Sequence, residues 1–445
     1  MKAIDKECKR NSQFKLCDLK LKLVLEGIVI GILTGFIIVL FRFAIEKLGN
    51  EVIKIYKILL LRLWLLPLWV MFLIGIGCIL GIMIKKEPMI GGSGIPQVEG
   101  VILKKLEMTW YRVILGKLIG GITAIGLGLS LGREGPSVQL GAAVGQGISK
   151  LLERTKVEEK YLITSGASAG LAAAFNAPLA GTMFSLEEVH KNFSPMVLVS
   201  AISSALSADF ITSQFFGLKP VFNFSYIHPI PLKYYLYIAV FGIIIGLGGV
   251  LFNILLLKTQ KLYSKQKFIP REFNPVIPLL ISIIFGLFLP EILGGGNNLI
   301  MTLTLKHFSL VLIFIFLILK FIFTMICYGS GTPGGIFLPL LTIGALIGYD
   351  YGSLFVGILH LNSSYINNFI IMGMAGYFTA VVKSPITGIV LITEMTGSFN
   401  HLLSISIVAI IAYLVADKLG SKPIYESLLK NYLKGHPNKI KQPIK

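Results

Sequence analysis

The stretch that decides the fold is GREGPSVQLGAAVG at residues 132–145, because its framework returns as GIFLPLLTIGALIG at residues 335–348. Glycine and proline keep the same offsets in both copies, which lie 203 residues apart. Two further pairs occur in the same order, namely GGSGIP with GGGNNLI and APLAGTMFSLE with SPITGIVLITE. Three matched pairs in one order indicate two homologous halves.

The composition indicates a membrane protein. Of 445 residues, 54% are hydrophobic and 14% are charged, whereas soluble domains average about 25% charged residues. Apolar runs such as VLEGIVIGILTGFIIVLF at 24–41 are long enough to cross roughly 30 Å of hydrocarbon as helices. We expect about ten to twelve spanning helices and a multi-pass protein of the plasma (inner) membrane, in contact with its lipid bilayer.

The net charge is +19, which in a soluble protein would suggest a nucleic-acid partner. Most of the excess lies outside the apolar runs, in residues 1–22, 258–274 and 418–445. Basic segments beside membrane spans are typical of the cytoplasmic side. We therefore expect cytoplasmic N- and C-termini and no nucleic-acid partner.

Cysteine and histidine spacings give no sign of a metal site or a cofactor. The four cysteines (Cys8, Cys17, Cys78 and Cys327) show no C-x-x-C spacing, and the six histidines are scattered. We predict no disulfide, no metal and no cofactor.

Three glycine-rich segments place proline or charge at membrane depth: GGSGIP at 91–96, GREGP at 132–136 and GGIFLP at 334–339. Helix breaks are tolerated there only where the backbone is buried in protein or lines a cavity. A helix that begins inside the membrane leaves its first N–H groups unpaired and carries a partial positive charge. Because an anion satisfies both, the breaks predict an anion-transport site; part of the glycine pattern also serves helix packing.

Several residues support such a site. Ser93 lies in the first break, and Tyr425 in KPIY could reach inward from the cytoplasmic side. Lys117 and Arg133 either supply a longer-range field or have a structural role. The remaining supporting residues shape the breaks: Gly92, Gly94, Pro96, Gly132, Gly135, Pro136, Gly335 and Pro339.

GSGIP, GREGP, GIFLP and KPIY occur in the order found in the CLC chloride channels and proton/chloride antiporters, which the chain resembles over about residues 20–430. The resemblance implies an all-α polytopic fold, a CLC-type inverted repeat of many tilted and partly spanning helices. It also implies a homodimer with one pathway per subunit. The predicted segments are an N-terminal cytoplasmic tail at 1–22, a first membrane repeat at 23–216, a second, inverted repeat at 232–428 and a basic cytoplasmic C-terminal tail at 429–445.

Site roles follow from the same resemblance. It implies that Ser93, Tyr425 and the backbone N–H groups of Ile336 and Phe337 hold chloride. Glu134 in GREGP matches the external gating glutamate; the alternative is a structural ion pair with Arg133.

A second acidic residue bears on whether chloride transport is coupled to proton transport. Glu188 in APLAGTMFSLEE matches the internal proton glutamate of the exchangers, a position commonly uncharged in channels. The alternative for Glu188 and Glu187 is a solvated helix end. Glu99 fits an acidic family position of structural type, and Glu394, the repeat counterpart of Glu187, receives no role.

The predicted function is chloride transport by coupled H+/Cl− exchange, with a gating glutamate that competes with chloride. The alternative is a passive voltage- or pH-gated chloride channel of the same fold. Ser93 stands where nitrate-preferring relatives often have proline, and fluoride exporters lack this serine and tyrosine, so chloride is the expected anion. About twenty residues follow Tyr425, so regulatory nucleotide-binding modules are not expected.

An enzymatic alternative starts from Gly166, Ser168 and Gly170, which spell G-x-S-x-G. A nucleophile elbow needs a strand-to-helix turn and a histidine partner. The segment SGASAGLAAAF instead resembles a small-residue helix face, and no histidine stands in a recognisable relation to it. We predict that the protein is not an enzyme.

Overall fold

The computed structural model describes residues 2–222, 224, 228–266, 270–306 and 308–436, with side chains from residue 19 onward. Residues 437–445 of the predicted C-terminal tail, and the side chains of its N-terminal counterpart up to residue 18, lie outside this description. The described chain forms seventeen α-helices: α1 Lys2–Leu61, α2 Leu66–Lys86, α3 Ile95–Ile102, α4 Trp110–Gly126, α5 Glu134–Leu151, α6 Lys156–Phe175, α7 Pro178–Phe184, α8 Pro195–Phe216, α9 Tyr235–Lys265, α10 Val276–Phe288, α11 Asn297–Leu305, α12 Leu310–Gly329, α13 Phe337–Leu359, α14 Tyr365–Val382, α15 Pro385–Thr396, α16 Leu402–Lys418 and α17 Ile424–Gly435.

Nine helical stretches in the described ranges are long and apolar enough to cross a membrane: Leu19–Leu61, Leu63–Lys86, Pro195–Phe216, Leu232–Lys265, Arg271–Phe288, Leu310–Gly329, Phe337–Leu359, Tyr365–Val382 and Phe399–Lys418. The number is lower than the ten to twelve expected, and several of the remaining helices are short, with only 8 residues in α3 and 7 in α7. Such short helices cannot cross about 30 Å of hydrocarbon. The all-α polytopic fold with partly spanning helices is confirmed.

The two halves pack alike. In the first half α5 packs on α6 and α1 on α8; in the second, α13 packs on α14 and α9 on α16. A methyl group on Gly141 would collide with the carbonyl of Gly166, and one on Gly344 with that of Gly373. These glycines therefore serve close helix packing, as small residues do in membranes.

The helices do not stop at the predicted segment boundaries. No glycine or proline interrupts residues 2–26, and α1 runs without a break across residue 22. At the other end, α17 continues to Gly435 and buries Tyr425, Leu428 and Leu429. This spacing forms one apolar helix face, so the packed structure extends past residue 428.

Candidate ion-binding site

The first break bends sharply before α3. Gly92 and Gly94 have φ values of +61° and +98°, a region that glycine adopts far more readily than other residues. Ser93, between them, is 1% exposed. The two glycines thus turn the chain so that α3 begins beside a buried hydroxyl.

The second and third breaks are bonded directly to each other. The Gly132 N–H donates to the Gly335 carbonyl at 2.6 Å, and the Gly335 N–H donates to the Gly132 carbonyl at 2.7 Å. A methyl group on Gly135 would collide with Ser93 Oγ, so the start of α5 also abuts the first break. The starts of α3, α5 and α13 therefore converge.

Further backbone bonds tie the breaks across the repeat. Gly92 donates to the Gly331 carbonyl at 3.1 Å and accepts from the Gly334 N–H at 2.9 Å. In the corresponding place of the other half, Gly294 donates to the Gly128 carbonyl at 2.9 Å. Hydrogen bonds between backbone groups thus hold the converging helix starts together.

The prolines of the three breaks lie in the first turns of their helices. Pro96 is the second residue of α3, Pro136 the third of α5 and Pro339 the third of α13. Proline is favoured there because the N–H it lacks would have no intrahelical acceptor.

An aromatic wall surrounds the start of α13. Ile336 caps this helix and Phe337 is its first residue, so these N–H groups have no intrahelical acceptor. The Phe337 ring lies 5.3 Å from that of Phe175, 6.0 Å from Phe184 and 4.6 Å from Phe378, measured between centroids. Unpaired N–H groups in apolar surroundings favour a dehydrated anion.

Two hydroxyls face the same region without protein partners. Ser93 Oγ and Tyr425 Oη are buried and make no hydrogen bond within the described part of the chain. The Tyr425 ring meets Phe184 edge-on, with centroids 6.4 Å apart. Leaving a buried hydroxyl unpaired costs about 1–3 kcal/mol, so both groups point to a ligand that accepts hydrogen bonds.

Glu134 is the first residue of α5 and is fully buried. Its Oε2 accepts from the Leu338 N–H at 3.4 Å, which places the carboxylate at the start of α13. Its Oε1 has no partner among the described groups.

Arg133 does not pair with Glu134. Its Nη1 donates instead to Glu46 Oε1 at 2.7 Å. The structural ion pair considered as the alternative role of Glu134 is therefore wrong. The carboxylate is left facing a helix start with no fixed cation bonded to it.

Glu188 lies in a π-helical turn, Ser185–His190, and is 4% exposed. Ser384 Oγ donates to its Oε2 at 2.8 Å, while its Oε1 has no partner among the described groups. Isolated π-helical turns occur frequently at functional sites. The alternative of a solvated helix end is wrong for this residue.

A charged cluster lies beside Glu188. Lys191 Nζ is 2.8 Å from Glu99 Oε1 and 2.6 Å from Glu426 Oε1. The hydrogen bond from Lys191 lowers the pKa of Glu426. Because Glu426 belongs to α17, the cluster places Glu188 toward the face that carries the C-terminal helix.

Lys117 is fully buried, and its Nζ donates to the carbonyls of Ile90 and Gly92 at 2.9 and 2.6 Å. These two hydrogen bonds hold the backbone of the first break in place. Lys320, 203 residues later, does the same in the second half and donates to Ile292 and Gly294 at 2.8 and 2.6 Å. Sequence reasoning missed Lys320, although the repeat displacement applied to Lys117 identifies it.

Glu187 and Glu394, which received no firm role from the sequence, each cap a helix that belongs to the other half of the chain. Glu187 Oε2 accepts from the Thr387 N–H at 2.7 Å, at the start of α15. Glu394 Oε2 accepts from the Ala180 N–H at 2.8 Å, in the first turn of α7. Each half therefore supplies the carboxylate that caps the short helix of the other, so the solvated-end interpretation of Glu187 is also wrong.

Ser168 of the G-x-S-x-G string lies inside α6, and its Oγ donates to the Ala201 carbonyl at 3.2 Å. This is a packed helix face and not a strand-to-helix turn. The geometry therefore lacks the exposed nucleophile that a hydrolase needs. Within the described ranges, no group of three His, Cys, Asp or Glu side chains is placed to hold a metal ion.

Comparison with known proteins gives consistent results. The sequence profile of a family described as "Voltage gated chloride channel" matches residues 76–417. An "H(+)/Cl(-) exchange transporter ClcA" of Salmonella arizonae is 34% identical over 93% of this chain and 89% of the relative. A protein of the same name from Vibrio vulnificus is 35% identical, covering 93% and 90%.

Solved structures share the fold. A slow cyanobacterial Cl−/H+ antiporter superposes with a TM-score of 0.88 at 29% identity, over 93% of this chain and 99% of that one. A CLC-type fluoride/proton antiporter superposes with a TM-score of 0.74 at 25% identity, over 91% and 97%.

Proposed function

Because this chain belongs to the voltage-gated chloride channel family, we propose that it exchanges chloride for protons across a bilayer. Its relatives in Salmonella arizonae and Vibrio vulnificus are named H+/Cl− exchange transporters. The observation that carries the proposal is the position of the Glu134 carboxylate on the Leu338 N–H. A titratable anion stands at the helix start that would receive chloride.

The chloride seat consists of the Ser93 and Tyr425 hydroxyls with the backbone N–H groups of Ile336 and Phe337. Moving a bare ion into a dry medium costs on the order of 20 kcal/mol in the idealised Born estimate. One helix start returns about 0.3–2 kcal/mol, so several donors are needed together. The unpaired hydroxyls at the converging helix starts support this assignment.

No fixed cation binds the ion in this proposal. Lys117 and Lys320 are bonded to backbone carbonyls, and Arg133 is paired with Glu46. These groups contribute a positive field at longer range. Weak, multiple donors suit transport, because an ion that binds too tightly leaves too slowly.

Glu134 acts as the external gate. When it is ionised, its carboxylate competes with chloride for the start of α13. Protonation removes the charge that the helix start stabilises, so the side chain leaves the Leu338 N–H and chloride takes its place there. Proton binding and chloride binding therefore occur together at this step, and exchange results when the two ions leave toward opposite sides of the membrane.

Glu188 accepts protons on the opposite side of the seat. Tyr425 is within electrostatic reach of both Glu134 and Glu188, and Lys191, three residues after Glu188, pairs with Glu426 of α17. A proton path that ends at Glu188 therefore departs from the chloride path near Tyr425. Two partly separate paths are what coupled exchange requires.

We also propose a membrane placement and an assembly for the protein. We place the protein in the plasma (inner) membrane with both termini cytoplasmic, because basic residues cluster near the ends of the chain. Large apolar side chains such as Phe43, Met71 and Phe210 are 58%, 71% and 64% exposed in the single chain. They suit contact with lipid and with a second copy, and we propose a homodimer with one pathway in each subunit.

Reconstitution in liposomes tests the exchange. With a chloride gradient imposed and a protonophore absent, we expect wild-type protein to drive protons against their own gradient, opposite to the chloride flow. A pH electrode and a chloride electrode record both fluxes. Chloride flux without uphill proton movement would contradict exchange and would favour the passive channel.

Removing both seat hydroxyls is expected to weaken chloride binding. Each hydrogen bond to an ion is worth about 1.5–3 kcal/mol, so Ser93→Ala with Tyr425→Phe should lower the affinity at least tenfold. Isothermal titration calorimetry in detergent measures it. The matched control is Ser282→Ala with Tyr56→Phe, a buried serine and tyrosine pair whose hydroxyl oxygens are 3.4 Å apart. Unchanged affinity in the seat variant would remove these two hydroxyls from the site.

A further inference from the structure

Ser384 directly precedes α15 and occupies its N-cap position. Serine is a preferred residue there because its hydroxyl accepts from the free N–H groups of the first turn. In this protein the Ser384 side chain makes no capping bond. Its Oγ donates to Glu188 Oε2 at 2.8 Å, and both residues are buried.

Glu187 performs the capping that Ser384 does not. Its carboxylate accepts from the N–H groups of Ile386 and Thr387 at 3.3 and 2.7 Å, and from the Thr387 hydroxyl at 2.7 Å. The free donors at the start of α15 are thereby satisfied by the residue next to Glu188 in sequence. The hydroxyl of Ser384 is left available for Glu188.

The first half of the chain has alanine instead of serine at the corresponding N-cap position. Ala177 precedes α7 at the position that corresponds to Ser384, with φ and ψ of −139° and 77° against −116° and 82°. Glu394 caps α7 as Glu187 caps α15. The turn and its cap therefore form with alanine, so the Ser384 hydroxyl is not needed to build them.

We propose that Ser384 is a positioning residue for proton transfer through Glu188, an inference that rests on the role proposed above for that glutamate. Its hydroxyl holds Oε2 and fixes the rotamer of the carboxyl group. Oε1, which has no partner among the described groups, is then the atom that binds the incoming proton and releases it toward Tyr425. The serine keeps its own proton throughout.

Ser384→Ala is expected to reduce proton flux about fivefold to tenfold, since misplacing a transfer group by about 1 Å can cost on the order of a hundredfold. Chloride flux should stay within about twofold of wild type, because the seat is untouched, so the ratio of chloride to protons rises. Both fluxes are measured in liposomes as above. Ser282→Ala removes a buried hydroxyl on α10 and should leave the ratio unchanged.

An isosteric pair separates the hydroxyl from the volume of the side chain. Ser384→Thr keeps the hydroxyl and should restore wild-type coupling, whereas Ser384→Val has the same shape without it and should behave as Ser384→Ala. Equal proton flux in the threonine and valine variants would overturn the inference. Glu188→Gln is run alongside: if it abolishes proton flux while Ser384→Ala does not change it, only the role of Ser384 fails. Proton flux that persists in Glu188→Gln would remove the proposed role of Glu188 itself.

Discussion

Replacing Glu188 by glutamine is expected to abolish proton transport while chloride transport continues. The buried carboxyl is the proposed acceptor for protons from the cytoplasmic side, and glutamine cannot ionise. Removing a positioned proton-transfer group typically costs about a hundredfold or more. The chloride seat lies apart from this residue, at Ser93 and the start of α13, so anion flux should fall only modestly. Paired proton and chloride electrodes on the same liposomes measure both quantities.

Glu272→Gln is the control for this variant. Glu272 pairs with Lys85 at 2.6 Å, away from the seat, and its replacement should leave the coupling ratio unchanged. Uphill proton movement at the wild-type rate in Glu188→Gln would contradict the assigned proton path. Loss of both fluxes would show that Glu188 serves the anion path as well.

Replacing Glu134 by glutamine is expected to eliminate proton transport and also the dependence of chloride flux on external pH. The amide is neutral at every pH, so it neither carries a proton nor competes as an anion for the start of α13. Chloride flux measured at several external pH values should vary in wild type, rising as the pH falls and the carboxyl is protonated. In the variant it should stay flat.

Glu51→Gln provides the matched change at an exposed acid, which pairs only with Lys54 at 2.8 Å among the described ion pairs. It should retain the pH dependence of wild type. A Glu134→Gln variant whose chloride flux still rises on acidification would assign the gate to another group.

Much of the site was predictable because its residues sit in short motifs that combine glycine, proline and a polar group. The resemblance to the CLC family, inferred from four such motifs, is confirmed. The convergence of the breaks was also predictable, since irregular backbone at membrane depth needs a protein interior around it. Gly132 and Gly335 realise this with two reciprocal hydrogen bonds.

Contacts between the halves were not predictable from one sequence. Glu187 and Glu394 were recognised as repeat counterparts, yet nothing in the pattern shows that each caps a helix some 200 residues away in sequence. From the sequence, Ser384 would be predicted to cap α15 through its hydroxyl. Only the structure shows that this hydroxyl donates to Glu188. Lys320 lies in a strongly apolar run, where its two carbonyl acceptors become visible only after folding.

Competition between Glu134 and the anion is tested most directly by locating a bound halide when residue 134 cannot ionise. Bromide-soaked crystals of wild type and of Glu134→Gln, both grown at a pH that ionises the glutamate, would be compared by anomalous scattering. If the carboxylate competes with the halide, a bromide peak is expected within hydrogen-bonding distance of the Phe337 and Leu338 N–H groups in the variant only, where the wild-type carboxylate lies. A peak at that position in both proteins, or in neither, would contradict this competition.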